Sequence, residues 1–291
     1  MTWRQSTLAL GALFAFGLCA GAALLAVRAF RAEWSDFHPR RGPVPLPAPP
    51  LAGLSAVSFP STDGTALKGW LVPSRNGAAV LLAHGTDADR RALLPEARLL
   101  VSHGYGALLL DLPGHGESDG PVHWSEESRA ALRAAARFLA AQPGIQPGKV
   151  AAYGFSMGAH ALAQLSAEDL PLAALILAGA PTDGDELTAE QQGRFGPLTQ
   201  WPALWADRLC GFVAAPTPLS AVQSSRLPLL IIWGGRDVVV PPRMSLLLSQ
   251  SGPGPREVLV LPRAGHGDYL QADEAAWAGA VLGFLSRWLA P

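Results

Sequence analysis

From residue 54 onward the chain alternates between short continuous apolar runs and longer stretches in which leucine and alanine recur every three or four positions. The runs at 54–59, 66–72, 79–83, 107–110, 150–153, 172–178, 229–233 and 257–261 predict strands. The periodic stretches at 90–102, 125–140, 242–249 and 274–289 predict helices, with Ser125-Glu-Glu-Ser128 as a helix start. A turn at Thr62-Asp63-Gly64 joins the first two strands. Apolar runs without polar alternation suit strands covered on both faces. Their alternation with helices predicts an α/β fold, a mostly parallel sheet with helices on both sides. Ligands of such sheets gather beyond the carboxyl ends of the strands, so the loops that follow strands carry the functional information.

Before residue 54 the pattern changes. Residues 7–27 are apolar and uncharged. As a helix they would be about 30 Å long, the thickness of a bilayer core. Arg4 precedes the run, Arg28 and Arg31 follow it, and Trp3, Phe30 and Trp34 stand near its ends, where interfacial aromatics are favoured. Residues 1–37 are therefore read as a single-pass membrane anchor. A cleaved signal peptide is the rival, with a core over 7–18 and Ala20-Gly21-Ala22 as its cleavage site; continuation of the run to Val27 argues against it. The flanking arginines weakly favour a cytoplasmic catalytic domain. Large domains translocate despite such charges, so the side of the membrane stays open. The prolines of 38–53 predict an extended linker holding the next domain off the membrane, with a strap lying on that domain as the alternative. Residues 54–291 then form one domain, and a chain beginning at residue 38 is expected to be soluble and active.

Composition narrows the partners. The length of 291 residues allows one large α/β domain or two small ones, and 49% apolar residues suffice for a sizeable core. A net charge of −1 with no basic stripe argues against nucleic acid. Cys19 and Cys210 are the two cysteines and build neither a disulfide framework nor a metal cluster. No phosphate-binding glycine loop, zinc pair or dinucleotide fingerprint is present, so neither cofactor nor metal is expected.

Chemistry enters at five strand-end loops. His84-Gly85-Thr86 follows the run at 79–83, and Asp111-Leu-Pro-Gly-His-Gly-Glu-Ser118 follows 107–110. Gly154-Phe155-Ser156-Met157-Gly158 follows 150–153 and precedes a helix-forming stretch, the strand–turn–helix setting of a nucleophile elbow. Gly234-Gly-Arg-Asp237 and Pro262-Arg-Ala-Gly-His266-Gly-Asp268 follow the last two runs. Serine, acid and histidine thus appear in the order Ser156, Asp237, His266. Ser156 is a weak nucleophile unaided. His266 can take its proton and return it to the leaving group, while Asp237 holds the imidazole in one tautomer and stabilises its cationic form. The backbone N–H groups of Met157 and Thr86 are the candidate donors to a tetrahedral oxyanion, each worth about 3–4 kcal/mol of barrier.

With these motifs in order, the chain from about Leu54 resembles the α/β-hydrolase superfamily. Within it, the chain looks like the membrane-anchored Bem46-type and ABHD13-type serine hydrolases and the broad serine aminopeptidase S33 group, on the strength of the anchor, a short insertion and the general character of the motifs. The resemblance implies an α/β-hydrolase fold and acyl chemistry through Ser156, Asp237 and His266. It also implies that His84 shapes the oxyanion loop, that the Pro-Gly-His-Gly turn at His115 is structural, and that residues 181–226 form a cap over the nucleophile. Asp183 rivals Asp237, because some members place the acid after the preceding strand. Asp111 is read as fixing its own loop and Asp268 as pointing elsewhere. His160 lies one helical turn past Ser156, and His38, His103 and His123 have no strand-end position. Serine at 156 excludes a dehalogenase, which carries aspartate there; a perhydrolase would share all three residues.

Phe195, Trp201, Trp205 and Phe212 in the insertion predict either an apolar acyl or alcohol pocket or the insertion's own small core. No run of acids offers to recognise a free amine. The expected function is hydrolysis of carboxylic esters of apolar, lipid-like small molecules. Peptidase, thioesterase or acyltransferase action through the same residues is the enzyme alternative. A membrane-tethered binding protein on a decayed hydrolase fold is the other; decay usually removes a member of the set, and all three remain.

Overall fold

A computed structural model of the chain describes residues 3–39, 41–122, 124, 126–212 and 216–289, without the side chains of 3–13 and 194. Helix α1 (Trp3–Asp36) precedes a hairpin of β1 (Ser55–Pro60) and β2 (Ala66–Val72). Strand and helix then alternate through β3 (Ala79–Ala83), α2 (Leu94–Ser102), β4 (Gly106–Leu110), α3 (Glu126–Ala140), β5 (Val150–Phe155), α4 (Met157–Gln164) and β6 (Ala174–Ala178). Three helices follow: α5 (Gly184–Gln192), α6 (Pro197–Leu209) and α7 (Pro218–Ser224). The chain closes with β7 (Leu229–Gly234), α8 (Pro242–Ser249), β8 (Arg256–Leu261), the short α9 (Tyr269–Ala272) and α10 (Glu274–Trp288).

The eight strands form one sheet in the order β1-β2-β4-β3-β5-β6-β7-β8. Only the β1–β2 and β2–β4 pairings are antiparallel. Alternate side chains enter opposite cores, as a two-faced strand requires. Val80 and Leu82 join the layer of Trp70, Leu100, Trp277 and Phe284, while Leu81 joins that of Leu132, Leu162 and Ile231. That is why these runs show no polar alternation in sequence.

The helix predicted over 90–102 is split. Residues Arg90–Leu93 form a 3-10 turn capped by Asp89, and α2 starts afresh with Pro95 in its first turn, where a missing N–H costs nothing. The predicted start at Ser125 lies outside the described residues, and α3 runs from Glu126. Helix α7 packs on α4 and sends Val222 into the sheet's core.

The N-terminal region departs most from expectation. Helix α1 is long and apolar enough to cross a membrane. Yet it does not end at the apolar run. From Ala22 one side loses exposure at 22, 25, 26, 29, 30, 33 and 36, followed by Phe37, and this stripe lies against α6. Ala29, Glu33 and Phe37 are buried. The following segment is not a free spacer. Val44 and Leu51 are buried in the Trp70 layer. The Val44 and Pro49 carbonyls accept hydrogen bonds from Arg90 Nη2 at 3.4 Å and Arg98 Nη2 at 2.5 Å. Arg41 donates to the Ser118 carbonyl. Proline removes a donor but leaves its acceptor, so guanidinium groups can fasten a proline-rich strand that no ladder could hold. Residues 41–53 thus lie on the domain as a strap, and α1 is packed against the part of the chain it was expected to stand clear of.

Candidate active site

Ser156 sits at the junction of β5 and α4 with φ 50° and ψ −112°. Asp87, at φ 54°, is the other described non-glycine residue with positive φ. Such a conformation costs about 1–3 kcal/mol and persists only where its surroundings enforce it. Here they do so by close approach. A Cβ on Gly158 would lie 2.3 Å from the Ala83 carbonyl oxygen, and one on Gly85 would lie 3.2 Å from Ser156 Cβ. The Gly158 N–H donates to the His84 carbonyl at 3.1 Å. These contacts bring the loop at 84–86 beside Ser156. Among the described residues the N–H groups of Thr86 and Met157 have no acceptor.

The predicted serine, histidine and acid meet. His266 Nε2 is 3.0 Å from Ser156 Oγ, and His266 Nδ1 is 2.7 Å from Asp237 Oδ2. The Asp237 side chain is wholly buried. Its Oδ1 accepts from the N–H groups of Val239 and Val240, both at 2.9 Å, and its Oδ2 also accepts from the Tyr269 hydroxyl at 3.2 Å. Burial raises the Asp237 pKa. The hydrogen bond and charge of His266, with the N–H groups of Val240 and Val239, outweigh that and leave the carboxyl below its ordinary value. A neutral His266 with this acceptor on Nδ1 presents a free lone pair to Ser156.

The competing residues are accounted for. Asp183 caps α5, its Oδ1 accepting from the Glu186 N–H at 3.0 Å. Asp111 accepts from the Arg90 N–H and side chain and from the Glu117 N–H, tying two loops together. Asp268 accepts from the Gly265 N–H at 2.8 Å. His84 accepts at Nε2 from the Leu112 N–H, so its Nδ1 carries the proton given to the Gly85 carbonyl. Its burial pushes its pKa down to about 3 and keeps it neutral. His115 Nδ1 bonds the Pro113 carbonyl. His38 and His103 bond backbone carbonyls of their own helical turns. His123 lies outside the described residues.

His160 is buried with Nδ1 unpartnered, its ring 5.3 Å from that of Trp124. Burial lowers its pKa from 6.5 to about 3. The unfolded chain takes up this proton below about pH 6.5 and the folded chain does not. The resulting contribution to stability is present above that pH and is lost as pH falls toward 3. Glu96, raised to about 7 by burial, acts in the opposite direction, so a difference between two proteins is the useful readout. His160→Leu should gain on the parent by about 1.4 kcal/mol per pH unit below about pH 6.5. Urea unfolding of both at neutral and acidic pH checks this; parallel curves would contradict it.

Ser156 and His266 open on a cavity of about 490 Å³. Phe155, Trp124 and Phe212 give it apolar walls, and Val238 and Val239 border it beside Asp237. Part of its lining is an acidic wall formed by Glu33, Asp36 and Asp207. Gln192 Nε2 donates to Glu33 Oε1 at 2.8 Å. Burial pushes Asp207 up to about 6. The sequence shows no run of acids; the fold builds one from α1 and α6. Of the aromatics named in the insertion, Phe212 reaches the pocket, whereas Trp201 and Trp205 do not line it. Tyr269, Trp124 and the α1 residues are additions the sequence alone did not offer. For Tyr269 the signal available was its place in the same short loop as His266. No group of three or more described His, Cys, Asp or Glu residues is arranged to hold a metal.

Residues 80–280 match the family model described as "Alpha/beta hydrolase family". The chain is 31% identical over 255 residues to the uncharacterized protein Rv2307c of Mycobacterium tuberculosis, with 86% of each covered. Over 127 residues it is 32% identical to the polyketide transferase grgF of a Penicillium species, covering 42% of this chain and 43% of that protein. Among solved structures, the esterase Pf2001 of Pyrococcus furiosus superposes with a TM-score of 0.73 at 23% identity, covering 87% of this chain and 98% of that one, a likeness of fold.

Proposed function

The chain belongs to the alpha/beta hydrolase family, and we propose that it is a serine hydrolase of carboxylic esters. The observation that carries this is the Ser156–His266–Asp237 chain of hydrogen bonds opening on a pocket with apolar walls. His266 Nε2 takes the proton of Ser156 as Oγ attacks the ester carbonyl. Asp237, held ionised by its donors, stabilises the imidazolium. The Thr86 and Met157 N–H groups receive the oxyanion. The imidazolium returns its proton to the departing alkoxide, leaving an acyl-enzyme and a neutral alcohol. Water, deprotonated by the same nitrogen, then releases the acid and restores Ser156. No cofactor is needed.

Helix α1 serves as the single-pass anchor in this reading, supported by its length and composition. Fluorophosphonate labelling, followed by rates on esters of increasing acyl length, tests the assignment. An unlabelled protein without activity on any ester would overturn it.

A second reading has one observation in its favour. The acidic wall of the same pocket suits an amine or other cationic group on the substrate. Rates on aminoacyl esters and amides beside uncharged ones of equal size separate the two readings.

Asp237→Asn should lower kcat by about 10⁴-fold, because an amide cannot hold the imidazole in the required tautomer. Asp183→Asn should leave kcat unchanged and alter stability by under about 1 kcal/mol, since Asn is also a good helix cap. The reverse ranking in steady-state kinetics would move the acid to Asp183.

A further inference from the structure

Helix α6 has a second apolar face. Leu198, Trp201, Trp205 and Leu209 are 38%, 66%, 71% and 66% exposed. At about 100° per residue these four positions share an arc of roughly 80°. Thr199, Ala203, Ala206 and Asp207, all buried, lie on the other side. A cap facing only water would place polar residues on that arc. The stripe is also continuous with α1: Leu198, Trp201 and Trp205 share an apolar groove with Ala26 and Phe30.

We infer that the N-terminal part of this stripe, Leu198, Trp201 and Trp205, rests in the interface of a phospholipid bilayer, so that this end of the cap dips into the membrane crossed by α1. The inference builds on the reading of α1 as an anchor. The uncharged run ends at Val27, and Ala26 and Phe30 are the α1 residues in the shared groove. A helix leaving the hydrocarbon there carries the N-terminal half of α6 within about one turn, ~5 Å, of the interface, while Leu209 shares a cavity with Trp34, Phe37 and His38 and stands clear of it. Indole is favoured at that depth, its ring apolar and its N–H wet. Exposed Arg28 and Arg31 stand at the same level, where lipid phosphates lie. Glu33 and Phe37, which line the cavity of Ser156, follow ~9–15 Å beyond Val27 along the helix. The site therefore stands just outside the headgroup layer, in reach of an ester whose chains remain in the bilayer. The substrate class is a membrane-borne ester.

The test uses full-length protein in vesicles of phosphatidylcholine and phosphatidylglycerol. With brominated phosphatidylcholine in the vesicles, the lipid-quenched share of tryptophan fluorescence should fall in Trp201→Phe/Trp205→Phe relative to the parent. If the lost fluorescence is instead the share quenched by aqueous iodide, the stripe faces water and the inference fails. If neither quencher reaches it and a cross-linker captures dimers, a second copy covers the stripe and the inference fails likewise. Trp201→Ser/Trp205→Ser should lower hydrolysis of a long-chain ester carried in the vesicles by about tenfold, with a short water-soluble ester hydrolysed at the parent rate. Equal rates on both esters would overturn the claim about substrate delivery. Absence of hydrolysis of either ester by the parent would instead strike the esterase reading, while the quenching result still reports on docking.

Discussion

Replacing Ser156 with alanine is expected to abolish fluorophosphonate labelling and to lower kcat on the best ester by on the order of 10⁵-fold or more. The change removes the only protein atom that bonds the acyl carbon in the proposed reaction. It leaves the walls of the pocket and the Asp237–His266 bond in place. The fold should hardly notice. Alanine at φ 50° is as strained as serine, and the same glycines at 85 and 158 keep the turn closed. Intact-mass analysis after labelling, beside a thermal melt, decides the matter. Labelling retained in a folded Ser156→Ala protein would mean that another nucleophile is at work.

A second large effect is expected from truncation. The linear sequence suggests that a chain starting at residue 38 is an independent soluble domain; the structure argues the contrary. Such a cut removes the buried stripe from Ala22 to Phe37, uncovers the inner side of α6 and deletes part of the cavity wall. Phe37 alone accounts for about 2–3 kcal/mol of burial, and the smaller apolar side chains of the stripe bring the sum to at most about 5 kcal/mol. A chain starting at residue 38 should therefore melt lower, aggregate and lose most of its activity. A chain starting at residue 22 keeps the stripe and should retain its melting temperature. Equal stability and activity of the two would show that α1 contributes nothing to the cap.

What the sequence displays and what it hides follow from the range of the interactions involved. Strands such as β3 and β7 are legible because a strand covered on both faces is apolar at every position. The elbow is legible because its conformation demands small residues at fixed offsets from Ser156. The ordering of serine, acid and histidine follows from strand order, which the alternation of elements already carries. Asp237 and Asp183 both follow strands, and no local pattern separates them. Only the pairing of Asp237 with His266 does, and that needs the sheet. The packing of α1 is masked for a different reason. Residues 7–27 are apolar all round, so no one side stands out. The informative spacing, Ala29, Glu33 and Phe37, lies beyond the run among charges that look like a solvated end. The acidic wall joins Glu33 and Asp36 to Asp207, far apart in the chain, and has no trace in any window.

That wall has a consequence for how specificity can change. The residues that perform the proposed chemistry are fixed to the sheet, and the segment recognised as the family's own begins at residue 80. Glu33, Asp36 and Phe37 lie outside it, on and just after a helix joined to the rest by a strap. One side of the pocket is thus modular. Chimeras exchanging residues 22–37 between relatives could retune what the pocket accepts without disturbing the machinery beneath it. Two proteins alike in every strand and loop of the core could then differ in substrate through their N-terminal helices alone.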